Sequence, residues 1–161
     1  MEKIEAVEKL AGQLLNQVGF EITPTVSFDG GTYTVALPAG DHSALLIGYH
    51  GETLNSLQTL LGLLVYRKLN EVLPLVVDID NYRKERIEKL KSLTVRTCDK
   101  ARFLNLPQNL PPMSAFERRL VHLFVSEIPD MKSESTGEGR DRQVVISPKS
   151  LENQPSGESA G

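Results

Sequence analysis

Gly48-Tyr49-His50-Gly51 is the first pattern in this chain whose residue types and spacing have a direct chemical use. Glycines let a phosphate approach the backbone closely, and a helix that opens behind them offers unpaired N–H groups to an anion. The competing reading is a tight helix–helix turn. A second pattern is the pair Arg118 and His122, four residues apart in FERRLVH and therefore on one face of a helix, with Arg119 beside them. A guanidinium forks onto phosphate oxygens, and a histidine can donate to a phosphate or stack on a base. Against this stands the plainer reading of a surface arginine beside a partly buried histidine. The loop Gly137 to Arg142 carries Arg140 and Arg142 and precedes a strand that would pack beside the same helix.

Cys98 with His122 could form a nucleophile and base, but Cys98 sits in a basic helix with no recognisable oxyanion loop. An enzyme is not expected. A single cysteine excludes an internal disulfide and a cysteine-cluster zinc site, and three scattered histidines make a poor metal set, so no metal or cofactor is expected.

The elements that must position these residues follow from periodicity. Residues 2–18 carry Ile4, Val7, Leu10, Ala11, Leu14, Leu15 and Val18 on one helical stripe, ended by Gly19. Val26 and Phe28, then Tyr33, Val35 and Leu37, alternate about the turn Asp29-Gly30-Gly31 and predict a hairpin. Asp41 is placed to cap a short helical turn through Leu45, Leu46 and Ile47. Behind the glycine pair runs ETLNSLQTLLGLLVYRKL, apolar nearly all round, which predicts a central helix or one packed on a partner. Leu75 to Ile79 reads as a short strand.

Residues 81–103 predict a long charged helix with Tyr82, Ile87, Leu90, Leu93 (or Thr94) and Ala101 inward. A Pro-rich loop follows. Ser114 and Glu117 then make a capping box for a helix whose Phe116, Leu120, Leu123 and Phe124 face inward. A short strand near Met131, a polar turn SESTGEGRDR and a strand from Gln143 to Ile146 complete the order. After Pro148 the chain is Ser/Gly/Glu/Asn-rich, and residues 149–161 are expected to be disordered.

The net charge of −3 hides an asymmetry. Residues 1–80 hold 4 Lys/Arg against 10 Asp/Glu, a charge of −6, while residues 81–149 hold 14 against 9, a charge of +5. Attraction to a polyanion depends on charge within about 10 Å of screening length, so the local figures matter more than the total. The alternative for the basic stretch is a solvated helix face. No stretch approaches the roughly 20 apolar residues of a membrane span, and the acidic start MEKIEAVEKL does not fit a signal peptide. No membrane insertion is expected, and a cytoplasmic location is.

Four blocks occur in order: IGYHGETLNSLQTLLGLLV, VVDIDNYRKERIEKL, LPPMSAFERRLVHLFV and GEGRDRQVVISP. In them, over about residues 5–148, the chain resembles the Jag family, also called SpoIIIJ-associated or KhpB proteins. FERRLVH with GRDRQVVI is the most specific part. The resemblance implies an α+β chain: a type II KH-like domain (residues 1–80) followed by a small α+β Arg-x-x-x-His domain (residues 81–148) that binds single-stranded nucleic acid. Carried onto this sequence, it assigns RNA binding to Gly48, Tyr49, His50 and Gly51, and to Arg118, Arg119, His122, Arg140 and Arg142. It implies a post-transcriptional regulator tied to cell envelope or division control, with single-stranded RNA, and also single-stranded DNA, as ligand. The alternative it leaves open is a scaffold with a degenerate KH site, forming a homodimer or pairing with a small single-KH protein. Two features depart from the family pattern. These 161 residues hold no counterpart of its N-terminal Jag module and linker, and Tyr49 and His50 stand where basic residues are usual. Losing two cations from a phosphate clamp weakens the salt-dependent part of RNA affinity.

Overall fold

Helical stripes and two-residue alternation produce two α+β units, with the boundary between Lys84 and Glu85. The structure, a computed structural model, describes residues 2–150. Residues 151–161, most of the stretch whose composition predicts disorder, lie outside the described residues. Lys149 and Ser150 are described: the Lys149 N–H donates to the Asp130 carbonyl at 2.9 Å, and the Ser150 hydroxyl to the Asn105 side chain at 3.1 Å.

In the first unit α1 (Glu2–Gln17) buries Val7, Ala11 and Leu15, every fourth residue of the expected stripe. Strands β1 (Thr25–Asp29) and β2 (Thr32–Leu37) form the hairpin, with Gly30 and Gly31 both at positive φ in its turn. Then come α2 (Ser43–Ile47), α3 (Glu52–Leu69) and β3 (Leu75–Ile79). The sheet runs β1-β2-β3, antiparallel in its first pair and parallel in its second. Register puts Val35 opposite Val77 and Leu37 opposite Ile79, so one sheet face is apolar and packs with α1 and α3 into a core.

α3 is not buried all round. It sinks Leu54, Leu57, Leu61 and Val65 into the core and leaves Leu60, Leu63 and Leu64 exposed. Nor does Asp41 cap α2, whose preceding residue is His42 and makes no side-chain cap. Asp80, just after β3, instead ties down the turn ahead of the helix, accepting from the Gly40 N–H at 3.0 Å and from the Ser43 hydroxyl.

α4 (Tyr82–Leu104) begins at the boundary. In the first unit its Arg83 donates to the Val77 carbonyl at 2.8 Å and to Gln58 at 2.9 Å, tying the helix start to β3 and α3. The second unit continues with β4 (Gln108–Asn109), α5 (Ala115–Ser126), β5 (Met131–Thr136) and β6 (Gln143–Pro148) in a sheet of order β4-β6-β5. Its core holds Leu90, Cys98 and Ala101 of α4, Val121 and Val125 of α5, and Met131, Val144 and Ile146 of the sheet.

The inward face of α5 differs from the expected one. Glu117, Val121 and Val125 are buried and the expected Leu120 and Phe124 pack half-buried beside them, whereas Phe116 is 63% and Leu123 56% exposed. The buried carboxylate sets this face: Glu117 accepts from Arg86 of α4 at 2.6 Å and from the Ser114 N–H at 3.1 Å. The expected capping box is present, and its acid is at the same time a core ion pair. β5 also runs further than expected, because Ser133 to Thr136, assigned to a turn, pair with Gln143 to Ile146.

Candidate nucleic-acid interface

The glycine loop is built by backbone conformations that few residues tolerate. Gly48 ends α2 at φ 70, His50 sits at φ 50, and Gly51 precedes α3 at φ 83. A Cβ on Gly48 would collide with the Thr53 side chain, and one on Gly51 would stand 3.4 Å from the Tyr82 ring. The four residues are thus held tightly, but not as a ready phosphate clamp. The Gly51 N–H donates to the Gly48 carbonyl at 3.4 Å, and the Glu52 N–H donates to the Tyr49 carbonyl. The first helical residue, Glu52, is itself an anion. Tyr49 and His50 stack on each other, ring centroids 4.0 Å apart and 12° from parallel.

In the second unit Arg118 and His122 lie on one face of α5 as their spacing predicts, but they do different things. Both are half-buried rather than freely exposed. The Arg118 guanidinium donates to the Met113 carbonyl at 2.8 Å. His122 is fixed at both ring nitrogens, Nδ1 to the Ser133 hydroxyl at 2.7 Å and Nε2 to the Ser135 hydroxyl at 2.8 Å. Ser133 and Ser135 reach the same ring because β5 puts residues two apart on one face. Burial first, and the Arg118 cation second, hold the His122 pKa below its usual 6.5, so the ring is neutral at pH 7. The two serines that fix the ring were not singled out by sequence reasoning. Their two-residue spacing was the available signal.

The loop carrying Arg140 and Arg142 meets the same place. The Met113 N–H donates to the Arg142 carbonyl at 3.2 Å, so one residue links Arg118 to the 139–142 turn. Arg119 and Arg142 are exposed and, with Lys89, Lys91, Arg96 and Lys100, make no ion pair among the described residues. Arg86 and Arg102 are committed within the unit, Arg86 to Glu117 and Arg102 to Asp99 at 2.7 Å and Asp130 at 2.6 Å. The Asp130 pairing raises the pKa of Arg102 and lowers that of Asp130.

Cys98 is buried, and burial pushes its thiol above the usual range. Both His122 nitrogens bond to serine hydroxyls rather than to Cys98. No three metal-ligating side chains cluster among the described residues, and among them no helix is long and apolar enough to cross a membrane.

Residues 88–148 match the family model of the Arg-x-x-x-His domain. The chain is 38% identical over 112 residues to a protein of Bacillus subtilis named RNA-binding protein KhpB, covering 68% of this chain and 54% of that one. It is 34% identical over 110 residues to the protein of that name from Clostridium symbiosum (68% and 50% covered), and 33% over 102 residues to that of Lactiplantibacillus plantarum (63% and 32%). The chain thus spans about half or less of the length of the curated relatives it matches. With its α+β architecture and these relatives, the chain belongs to the Jag (KhpB) family and carries an Arg-x-x-x-His domain at residues 88–148.

Proposed function

We propose that this chain binds single-stranded RNA, and single-stranded DNA more generally, through the face of α5 and the 139–142 turn. The observation that carries the reading is the convergence on Met113: its carbonyl holds Arg118 and its N–H holds the loop bearing Arg140 and Arg142, with Arg119 exposed alongside. Such a cluster suits a sugar–phosphate backbone. The relatives' name, RNA-binding protein, supports the ligand class. In this reading residues 1–80 act as a type II KH-like module and residues 81–148 as the basic module. The chain works in the cytoplasm as a post-transcriptional regulator linked to envelope or division control.

The test is fluorescence anisotropy with a labelled single-stranded RNA across a salt series. Arg118→Ala with Arg119→Ala should weaken binding and flatten the dependence of log K on log salt by about 1.4, roughly 0.7 for each phosphate of the strand that is no longer neutralised. An unchanged slope would refute the assignment of these arginines.

A second reading has its own support. Leu60, Leu63 and Leu64 give α3 an exposed apolar strip opposite its core face, which suits a homodimer or a pairing with a small single-KH protein. Sedimentation equilibrium with Leu63→Glu separates this scaffold from a monomeric RNA binder.

A further inference from the structure

No lysine or arginine occurs from Leu10 through Tyr66, a stretch that contains the whole glycine loop and both flanking helix ends. Arg83, also in the first unit, is occupied by Val77, Gln58 and Asn55. The loop itself therefore carries no lysine or arginine, and the N–H groups of Gly51 and Glu52 are bonded inside the turn. What it does offer is a ring. Tyr49 is 61% exposed although one of its faces is covered by His50, so its exposure falls on the other face and the edge.

The stack is also held in advance. His50 adopts a left-handed backbone that costs a non-glycine residue roughly 1–2 kcal/mol, and such conformations persist only where the surroundings enforce them. Thr53 lies against Gly48 and Tyr82 against Gly51, so the glycines on either side of Tyr49 and His50 are closely packed. A flat aromatic pair fixed before ligand arrives loses little entropy when a further ring is added to it.

We propose that the Gly48–Gly51 loop is a base-stacking platform: an unpaired nucleobase of a single strand stacks on the open face of Tyr49, extending the Tyr49–His50 stack, and no phosphate is clamped there. The inference rests on the single-strand-binding reading above and assigns this loop a different mode from the arginine face. Every base has a π-face, so the platform tolerates sequence and favours the larger purines.

The experiment uses the full chain and two oligomers of equal length, one of adenosine nucleotides and one of abasic sugar–phosphate units. Tyr49→Ala should lower affinity for the adenosine oligomer by about 5- to 150-fold, the loss of one stacked base. Affinity for the abasic oligomer and the salt slope should stay as they are, and Tyr49→Phe should keep wild-type binding. An equal loss on both oligomers with a flatter salt slope would make the loop a phosphate clamp and overturn the proposal. Unchanged adenosine binding by Tyr49→Ala would also overturn it, and if the Arg118→Ala, Arg119→Ala double variant still weakens binding, the single-strand reading survives alone. A wild-type chain that binds neither oligomer would overturn both.

Discussion

Replacing His122 by alanine separates a ligand-binding role from a structural pin. The ring has no nitrogen left for a phosphate or a base, since both bond to serine hydroxyls at 2.7 and 2.8 Å. Its deletion removes two neutral hydrogen bonds, each worth a net contribution of about 0.5–1.5 kcal/mol. The half-buried serines left behind can turn to water, so no large orphaning penalty is added. The expected destabilisation of the second unit is about 1–3 kcal/mol. At roughly 4–8 °C per kcal/mol for a unit of this size, its thermal transition should fall by about 5–20 °C. Amide hydrogen exchange would register this first in α5 and β5, the elements the ring joins. RNA affinity, measured by anisotropy well below the lowered transition, should change less than threefold with an unaltered salt slope. A tenfold or greater loss of affinity at unchanged stability would refute the reasoning and make His122 a ligand-binding residue.

Three further perturbations probe the framework. Glu117→Ala removes half of the capping box and leaves Arg86 without its carboxylate; because Arg86 is 31% exposed and can turn to water, the cost should be about 2–4 kcal/mol, below that of a fully buried pair, read by chemical denaturation. Gly48→Ala forces a left-handed φ on a residue with a Cβ and drives that Cβ into Thr53, so it should destabilise the first unit by at least about 1–2 kcal/mol while sparing amide protection in the second. The His122 pKa is lower in the folded chain than its usual 6.5, so the unfolded chain binds the proton more readily. Stability of the second unit should therefore fall as pH drops below about 6.5 and level off beneath the folded pKa. His122→Gln should remove that component, and a wild-type chain that gains stability relative to it on acidification would contradict the assignment.

How much of this was legible in the sequence depends on whether a residue's partner is local. The β3 strand, the hairpin and the long basic helix follow from strong periodicity, and Ser114 with Glu117 marked the start of α5 from four adjacent residues. The inward face of α5 was not legible by hydrophobicity, because its core stripe contains a glutamate whose partner, Arg86, is 31 residues away. Counting only apolar residues rotates the helix toward Phe116 and Leu123, both exposed. The continuation of β5 through Ser133 to Thr136 was missed for a related reason. Residues Met131-Lys132-Ser133-Glu134-Ser135-Thr136 show no apolar alternation, since the strand presents hydroxyls to a histidine rather than methyls to a core. Both of these misses mark places where polar groups replace apolar ones inside the fold, and both lie at the candidate site.

The same polar pairing explains how a chain of net charge −3 can present a cationic face. Within residues 81–149, Arg86 takes up Glu117, and Arg102 takes up both Asp99 and Asp130. Setting those five groups aside leaves 12 Lys/Arg against 6 Asp/Glu, so these pairs consume more acid than base and the remaining surplus is +6 rather than +5. The acidic stretch before residue 80 contains none of these partners. Under the proposed reading a strand at α5 meets the exposed Arg119 and Arg142, whereas a strand at the Gly48–Gly51 loop meets rings and an acidic helix start. As proposed, phosphate attraction is thus separated from base stacking along one chain, and the different responses of the two modes to salt make them independently measurable.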